Sequence, residues 1–184
     1  MDLTDVKIAI IVTDYFEETE LTEPRKALEE AGAEVTVIAP LESDIQGVNG
    51  HEDGQMLPVD ITLEDADPSD YDALLIPGGV GNADALRTNE KAQAFARAMD
   101  SDDKPIGVLC HGSWLLIEAG LVDGRSMTSF HSIATDLRNA GAEWQDAEVV
   151  IDGNWVSSRK PDDIPAFNAA FIELITGEDD DDEA

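Results

Sequence analysis

The stretch Pro105-Ile106-Gly107-Val108-Leu109-Cys110-His111-Gly112 decides the fold, because an apolar strand, Pro105 to Leu109, turns sharply into a helix at the only cysteine. Such an elbow strains its first residue and directs the free N–H groups of the next helix toward it. These groups favour a thiolate, so we predict a nucleophile with a lowered pKa at Cys110. The alternative is a small buried apolar cysteine, but the adjoining His111 and Gly112 favour the nucleophile. Val108 stands where such elbows commonly have glycine.

Short apolar runs alternate with helical patterns, which is typical of β-α units around a mainly parallel sheet that helices cover on both faces. The predicted strands are 8–12, 35–39, 73–76 and 105–109, with a hairpin of 149–151 and 155–158. The predicted helices are 20–31, 89–100, one from the elbow to about residue 120, 133–139 and 164–175. Residues 43–60 are predicted to form a loop with a short hairpin. We expect one domain, residues 1–177, and a disordered acidic tail, residues 178–184.

Charge excludes several classes of partner. The chain has 41 Asp and Glu against 11 Lys and Arg, for a formal net charge of -30 on 184 residues. Such a protein repels nucleic acid and anionic membranes. Because 42% of the residues are hydrophobic, the acidity belongs to the surface of a packed domain rather than to a disordered chain. An acidic surface with few lysines predicts a halophilic protein whose stability depends on salt.

Expectations about cofactors and about the cellular compartment follow from features that the sequence lacks. One cysteine allows no intrachain disulfide, and no group of Cys and His residues has metal-ligand spacing. No apolar run is long enough to span a bilayer, and the first residues lack the basic and apolar regions of an export signal. We therefore expect a cytoplasmic protein without a metal or another cofactor.

Three motifs follow predicted strands, at the edge of a parallel sheet where ligands bind. They are the acidic segment 14–20 after the first strand, Pro77-Gly78-Gly79 after the third, and the elbow. The N–H groups of Gly79 and His111 are candidates for binding an oxyanion, although an ordinary turn explains the two glycines equally well. A carboxylate beside Cys110 would raise the thiol pKa, whereas a protonated glutamate would lower it by donating a hydrogen bond. The two groups would titrate as a coupled pair.

Six segments carry a resemblance to a known family: Phe16-Glu17-Glu18-Thr19-Glu20-Leu21, Leu75-Ile76-Pro77-Gly78-Gly79, Cys110-His111-Gly112, Gly124-Arg125, Gly141-Ala142-Glu143-Trp144 and Asp152-Gly153-Asn154-Trp155-Val156-Ser157-Ser158-Arg159. On these segments, from about Lys7 to Ile175, the chain resembles the PfpI-type intracellular proteases. That family belongs to the class I glutamine amidotransferase-like superfamily, which also contains protein deglycases. The resemblance implies a flavodoxin-like three-layer α/β/α sandwich with a nucleophile elbow, and the acidic composition suggests a haloarchaeal member.

The resemblance also implies roles for individual residues. Cys110 matches the family nucleophile, and His111 matches its neighbouring histidine. Glu20 matches the carboxylate that contacts the thiol, and Glu17 matches a second glutamate of the pocket, although the motif leaves open which of the two contacts the sulfur. Asp84, where the family often has Glu, matches an acidic residue that reaches the histidine across a subunit interface. This implies a homo-oligomer, either a dimer or a hexamer.

Three further aromatic residues lie near these motifs. Phe130 stands where the protease-like members have a pocket tyrosine, so a hydroxyl role at that place is lost. His131 is interpreted as a surface histidine, although it could also substitute for that hydroxyl. His51 lies in a polar loop, and we assign it no role.

Three functions stay open. Cys110 could attack glyoxal-type carbonyls or their adducts on proteins, as a glyoxalase or deglycase in which a glutamate shuttles the proton. It could instead attack a peptide carbonyl as a cysteine peptidase. In the third reading it is a redox sensor that stops at sulfinic acid. We expect that a histidine directly after the elbow does not easily point back at the cysteine, which weakens a Cys-His peptidase dyad within one subunit and favours small-carbonyl chemistry.

Overall fold

Seven strands form the central sheet of the computed structural model, which describes residues 1–177. The strands are β1 (Lys7–Ile11), β2 (Phe16–Glu17), β3 (Glu34–Ala39), β4 (Ile45–Asn49), β5 (Glu52–Leu57), β6 (Ile61–Thr62), β7 (Ala73–Ile76), β8 (Ile106–Leu109), β9 (Ser126–Met127), β10 (Glu143–Trp144), β11 (Val149–Asp152) and β12 (Trp155–Ser158). The helices are α1 (Glu18–Glu30), α2 (Val80–Arg87), α3 (Glu90–Ser101), α4 (Ser113–Glu118), α5 (Ala134–Asn139) and α6 (Ile164–Thr176). The acidic tail predicted at 178–184 lies outside the described residues.

The central sheet has the order β11-β12-β8-β7-β1-β3-β6. Its neighbouring strands are parallel except for β11, which pairs with β12 in an antiparallel hairpin. The prediction of a three-layer α/β/α sandwich with a mainly parallel central sheet is confirmed. Because β8, β7 and β1 are neighbours, the loops that follow them meet at one edge of the sheet.

Two apolar cores lie on opposite faces of this sheet. In β1, Ile8 and Ile10 pack into the core that contains residues of α1 and α6, whereas Ala9 and Ile11 pack into the core of α2 to α5. All four side chains are completely buried. Burial on both faces explains why the strand reads as a continuous apolar run rather than an alternating one. Each isoleucine buried in this way stabilises the fold by about 1.5–3 kcal/mol.

Helix α2 is an element that the sequence analysis missed. Gly81 and Asn82 lie in its first turn, and both residue types have low helix propensity. Tertiary contacts compensate for this propensity. The buried Asn82 accepts a hydrogen bond from Thr13 N at 2.8 Å and donates to the carbonyls of Pro77 and Gly78 at 3.2 and 3.0 Å. These bonds join α2 to the loops after β1 and β7.

The hairpin expected within residues 43–60 is formed by β4 and β5, and it packs beside the site. Strand β4 pairs with β2, the short strand that leads into α1. Glu18, the first residue of α1, accepts a hydrogen bond from Gln55 N at 2.7 Å. The hairpin is therefore attached to the acidic segment both by strand pairing and by a hydrogen bond to a side chain. Among the described residues, no helix is long and apolar enough to cross a membrane.

Candidate active site

The three motifs surround a cavity of about 670 Å³ at the carboxyl ends of β1, β7 and β8. This volume suits a small-molecule ligand. The lining residues are Tyr15, Glu17, Glu20, Val48, Gly50, His51, Gly79, Val80, Gly81, Cys110, His111, Phe130 and Pro161. Within the described ranges, no group of three or more His, Cys, Asp or Glu side chains is placed to hold a metal ion.

Cys110 occupies the sharp turn between β8 and α4. Its φ of 56° lies in the left-handed region, which a residue with a side chain rarely adopts. Such strain persists where the surrounding structure enforces it, and it is concentrated at functional sites. The residue is only 7% exposed and lines the cavity. A ligand that reaches Cys110 must therefore enter the cavity.

Glu20 is a completely buried carboxyl group beside Cys110. Its Oε2 accepts a hydrogen bond from Gly78 N at 2.7 Å, while Oε1 has no partner among the described residues. Burial raises its pKa from 4.5 to about 8, against the lowering effect of the Gly78 bond, and the charge of Glu17 raises it further. Glu20 is therefore protonated at neutral pH and has a proton to donate.

Gly78 makes the approach of these two side chains possible. A Cβ at this position would collide with Glu20 Oε2 and lie 2.6 Å from Cys110 Cβ. Real Cβ atoms do not come so close to other carbon atoms, so a larger residue would push the carboxyl group and the elbow apart. The glycine pair after β7 is thus more than an ordinary turn.

Burial raises the pKa of the Cys110 thiol, and the charge of Glu20 raises it further where that carboxyl group is ionised. The backbone N–H groups of His111 and Gly79 act in the opposite direction and lower it in part. The prediction of a lowered thiol pKa is therefore wrong, because desolvation outweighs both N–H groups. Formation of the thiolate in this cavity requires a base that takes the proton.

His111 is placed to be that base. Its Nδ1 lies 3.2 Å from Cys110 Sγ. The expectation that the adjoining histidine does not easily point back at the cysteine is wrong, since the two side chains meet at this turn, where Cys110 has a left-handed backbone. Burial, together with the nearby His131, lowers the pKa of His111. Its imidazole is therefore neutral at neutral pH and can accept a proton.

The N–H groups of Gly79 and His111 both face the sulfur, as the oxyanion prediction requires. Gly79 has a φ of 91°, and a Cβ there would lie 2.8 Å from Phe16 Cα. Only glycine therefore fits this turn. The arrangement can hold negative charge on an oxygen next to Cys110.

The other predicted site residues have different surroundings. Glu17 is half-buried, lines the cavity and accepts a hydrogen bond from Gly50 N at 3.1 Å. Asp84 is exposed on α2 and does not line the cavity. Contact between Asp84 and a histidine of another subunit stays a prediction.

Two polar side chains at the site have a position that the sequence analysis did not predict. His51, which was assigned no role, lies in the turn between β4 and β5 and lines the cavity. The hairpin signal was visible, but not that β4 would pair with β2 and bring the turn there. Ser132 Oγ lies 3.3 Å from His111 Nε2, and no local pattern indicates this contact. His131 is exposed, and its ring lies 4.4 Å from the ring of Phe130.

Comparisons with known proteins identify relatives over most of the chain. A family model described as the DJ-1/PfpI family matches residues 6–174. A deglycase from Thermococcus kodakarensis is 43% identical over 170 residues, which cover 92% of this chain and 99% of the relative. A Bacillus subtilis protein, provisionally named cysteine protease YraA, is 45% identical over 169 residues. These residues cover 92% of this chain and 98% of the relative. General stress protein 18 of the same organism is 45% identical over 170 residues, covering 92% and 97%.

Two solved structures are similar in fold. One is a two-domain protein from Anabaena variabilis with DJ-1/ThiJ/PfpI-like and ferritin-like domains. It matches with a TM-score of 0.89 and 33% identity over 98% of this chain and 52% of that chain. The other is Drosophila melanogaster DJ-1beta, with a TM-score of 0.86 and 25% identity over 97% of this chain and 92% of that chain.

Proposed function

The chain belongs to the DJ-1/PfpI family, and we propose that it is an enzyme in which Cys110 attacks small reactive carbonyl compounds or their adducts on proteins, as a deglycase or glyoxalase does. One observation carries the proposal: the completely buried carboxyl group of Glu20 and the imidazole of His111 flank the same sulfur at a cavity of about 670 Å³. A nucleophile, a base and an acid are thus within reach of one substrate carbon.

The first step is the addition of sulfur to the carbonyl. His111 Nδ1 takes the thiol proton, and the thiolate attacks the aldehyde carbon of a compound such as methylglyoxal. The carbonyl oxygen becomes an oxyanion, which the N–H groups of Gly79 and His111 stabilise. Glu20 then donates its proton to that oxygen and leaves a hemithioacetal on Cys110.

The later steps use the carboxylate that the first step leaves behind. Glu20 removes the C–H proton of the hemithioacetal carbon and returns it to the adjacent carbon, while the hydroxyl proton of the first carbon passes to the former ketone oxygen. The former aldehyde thereby becomes a thioester and the ketone becomes an alcohol. Water hydrolyses the thioester to lactate: the departing thiolate takes the proton held by His111, and the proton released with lactate returns to Glu20. No external oxidant or reductant is needed. A pKa of about 8 suits this exchange, because acid–base catalysis is most effective when the pKa lies near the working pH.

The cavity favours a small substrate. The cysteine is 7% exposed, and several lining residues are apolar or aromatic, among them Val48, Val80 and Phe130. A peptide chain would have to bring its carbonyl to a nearly buried sulfur. A compact dicarbonyl or a side-chain adduct meets no such obstacle.

Peptidase activity is the second candidate, and a specific contact favours it. The 3.2 Å approach of His111 Nδ1 to Cys110 Sγ is the nucleophile–base pair that acyl transfer requires. The provisional name of the Bacillus relative points to the same activity.

Lactate release from methylglyoxal without glutathione, measured beside casein and amidase turnover, tests the proposal. We expect Cys110→Ala to abolish lactate release and Glu20→Gln to lower it by about 10²-fold, the scale of lost acid–base catalysis. His111→Ala should also lower it, because the variant keeps the oxyanion amide but loses the base. Cleavage of peptides alone would establish the peptidase. No turnover, with a stable Cys110 sulfinate under peroxide, would establish the redox sensor.

We also propose that the protein works as a homo-oligomer, a dimer or a hexamer. Tyr15 and Val80, at the mouth of the cavity, are 56% and 55% exposed. Val80 and Asp84 lie one turn apart on the same face of α2. A second copy on this face would cover the apolar residues and bring its Asp84 toward the cavity.

A further inference from the structure

Ser132 makes a contact on the far side of the catalytic imidazole. Its Oγ lies 3.3 Å from His111 Nε2, while His111 Nδ1 lies 3.2 Å from Cys110 Sγ. The three side chains thus form a continuous series from sulfur to hydroxyl within one chain. Ser132 is exposed, in a 3-10 turn formed by His131–Ile133.

The plane of the imidazole is set by its aromatic neighbours. Phe130 stacks on the His111 ring with centroids 4.9 Å apart at 29°, and Trp114 meets its edge at 5.3 Å and 74°. Phe130 N also donates to Cys110 O at 3.3 Å, which holds the segment before Ser132 against the elbow. Aromatic packing cannot distinguish a nitrogen from a carbon of the ring. A polar partner is needed to select the ring flip and the tautomer.

Only one tautomer of the neutral ring can take the thiol proton. If Nε2 carries the hydrogen, Nδ1 has a free lone pair toward Cys110. If Nδ1 carries it, the ring has no acceptor at the sulfur. A hydroxyl oxygen that accepts from Nε2–H favours the first form, in the same way that second partners orient histidines elsewhere.

On the basis of the proposed role of His111 as the base, we propose that Ser132 is a positioning residue. Its Oγ accepts a hydrogen bond from Nε2–H of His111 and keeps Nδ1 free for the proton of Cys110. When the S–H bond breaks, the proton moves to Nδ1, and the products are a thiolate and an imidazolium. The hydrogen on Nε2 stays in place throughout, and the bond to Ser132 strengthens as the ring becomes charged.

Alkylation of the wild type and three variants by iodoacetamide between about pH 5 and about pH 10 tests this proposal. Cys110 is the only cysteine, so the loss of free thiol reports on this residue alone. Ser132→Ala should lower the rate near neutral pH by about tenfold, as expected for the loss of a hydrogen bond to a charged group. The two rates should converge toward the acidic end of the range, where a protonated imidazole accepts no proton in either protein. Ser132→Thr keeps a hydroxyl and should restore the wild-type profile.

Ser69→Ala is the matched control, because Ser69 is also exposed in a 3-10 turn, Pro68–Asp70, remote from the cavity. It should alkylate as the wild type does. Nitrogen-15 NMR should show that Nδ1 of His111 is unprotonated in the wild type and mixed with the other tautomer in Ser132→Ala. A folded Ser132→Ala with the wild-type profile and tautomer would overturn the proposal. So would a uniform decrease at every pH, which indicates a structural role.

These measurements need no substrate. If methylglyoxal is not turned over but the profile shifts as expected, the proposed function fails and the role of Ser132 stands. If methylglyoxal is turned over and the profile does not shift, only the role of Ser132 fails.

Discussion

Replacement of Glu20 by glutamine should make the protein more stable at neutral pH. The carboxyl group is completely buried, and its pKa rises from 4.5 to about 8 in the fold, chiefly through desolvation. Between these values the folded chain holds a proton that the unfolded chain has released. The stability of the wild type therefore decreases as pH rises from about 4.5 and levels off above about 8.

The magnitude follows from the two pKa values. At pH 7 the unfolded chain ionises this carboxyl group freely, which disfavours folding by about 3 kcal/mol, and near pH 9 by about 5 kcal/mol. Glutamine stays neutral at every pH, and its Oε1 can accept the hydrogen bond from Gly78 N. We expect the free energy of unfolding of Glu20→Gln to lack this decrease with rising pH.

Urea unfolding of both proteins from about pH 5 to about pH 9, in molar salt with a reductant, measures the effect. The other acidic residues titrate in both proteins, so their contributions cancel in the difference. Glu20→Leu is the control and should show no such pH dependence either. Its free energy of unfolding should be about 1–3 kcal/mol lower than that of Glu20→Gln, because Gly78 N–H is left buried and unpaired.

A difference between Glu20→Gln and the wild type that does not change with pH would refute the reasoning. It would mean that Glu20 is ionised in the folded protein. The assignment of Glu20 as the general acid would then fail with it.

Three further predictions concern the surface, the glycine pair and assembly. The unfolding midpoint should rise from dilute buffer to molar KCl, because salt screens the repulsion of a chain with a net charge of -30; equal stability would contradict a halophilic surface. Gly78→Ala should destabilise the fold by about 1–3 kcal/mol and slow alkylation of Cys110, since its Cβ meets Cys110 Cβ at 2.6 Å; wild-type values in both assays would remove the packing argument. Sedimentation in molar salt should show an oligomer, and Asp84→Asn should impair turnover without dissociating it; a monomer would exclude a site shared between subunits.

The sequence alone was sufficient to predict the main strands and helices and the edge of the sheet at which the site lies. Hydrophobic periodicity is local, so the apolar run of β1 and the pattern of α6 identify these elements without any knowledge of their neighbours. Parallel strands place their carboxyl ends at one edge, so the convergence of the acidic segment, the glycine pair and the elbow was also predictable. Helix α2 was not, because its stability depends on the contacts of Asn82 with two distant loops.

The chemistry of the site was decided by the tertiary structure. The residue types of Glu20 and Cys110 indicated a coupled pair, but their pKa values depend on how much water packing removes, and burial reversed the expected shift of the thiol. The direction of His111 depends on the left-handed backbone of Cys110 and on the ring of Phe130. Ser132 lies 21 positions from His111, beyond the range of any local pattern. Periodicity determines which residues face the core, whereas desolvation and hydrogen-bond geometry exist only once distant segments have packed together.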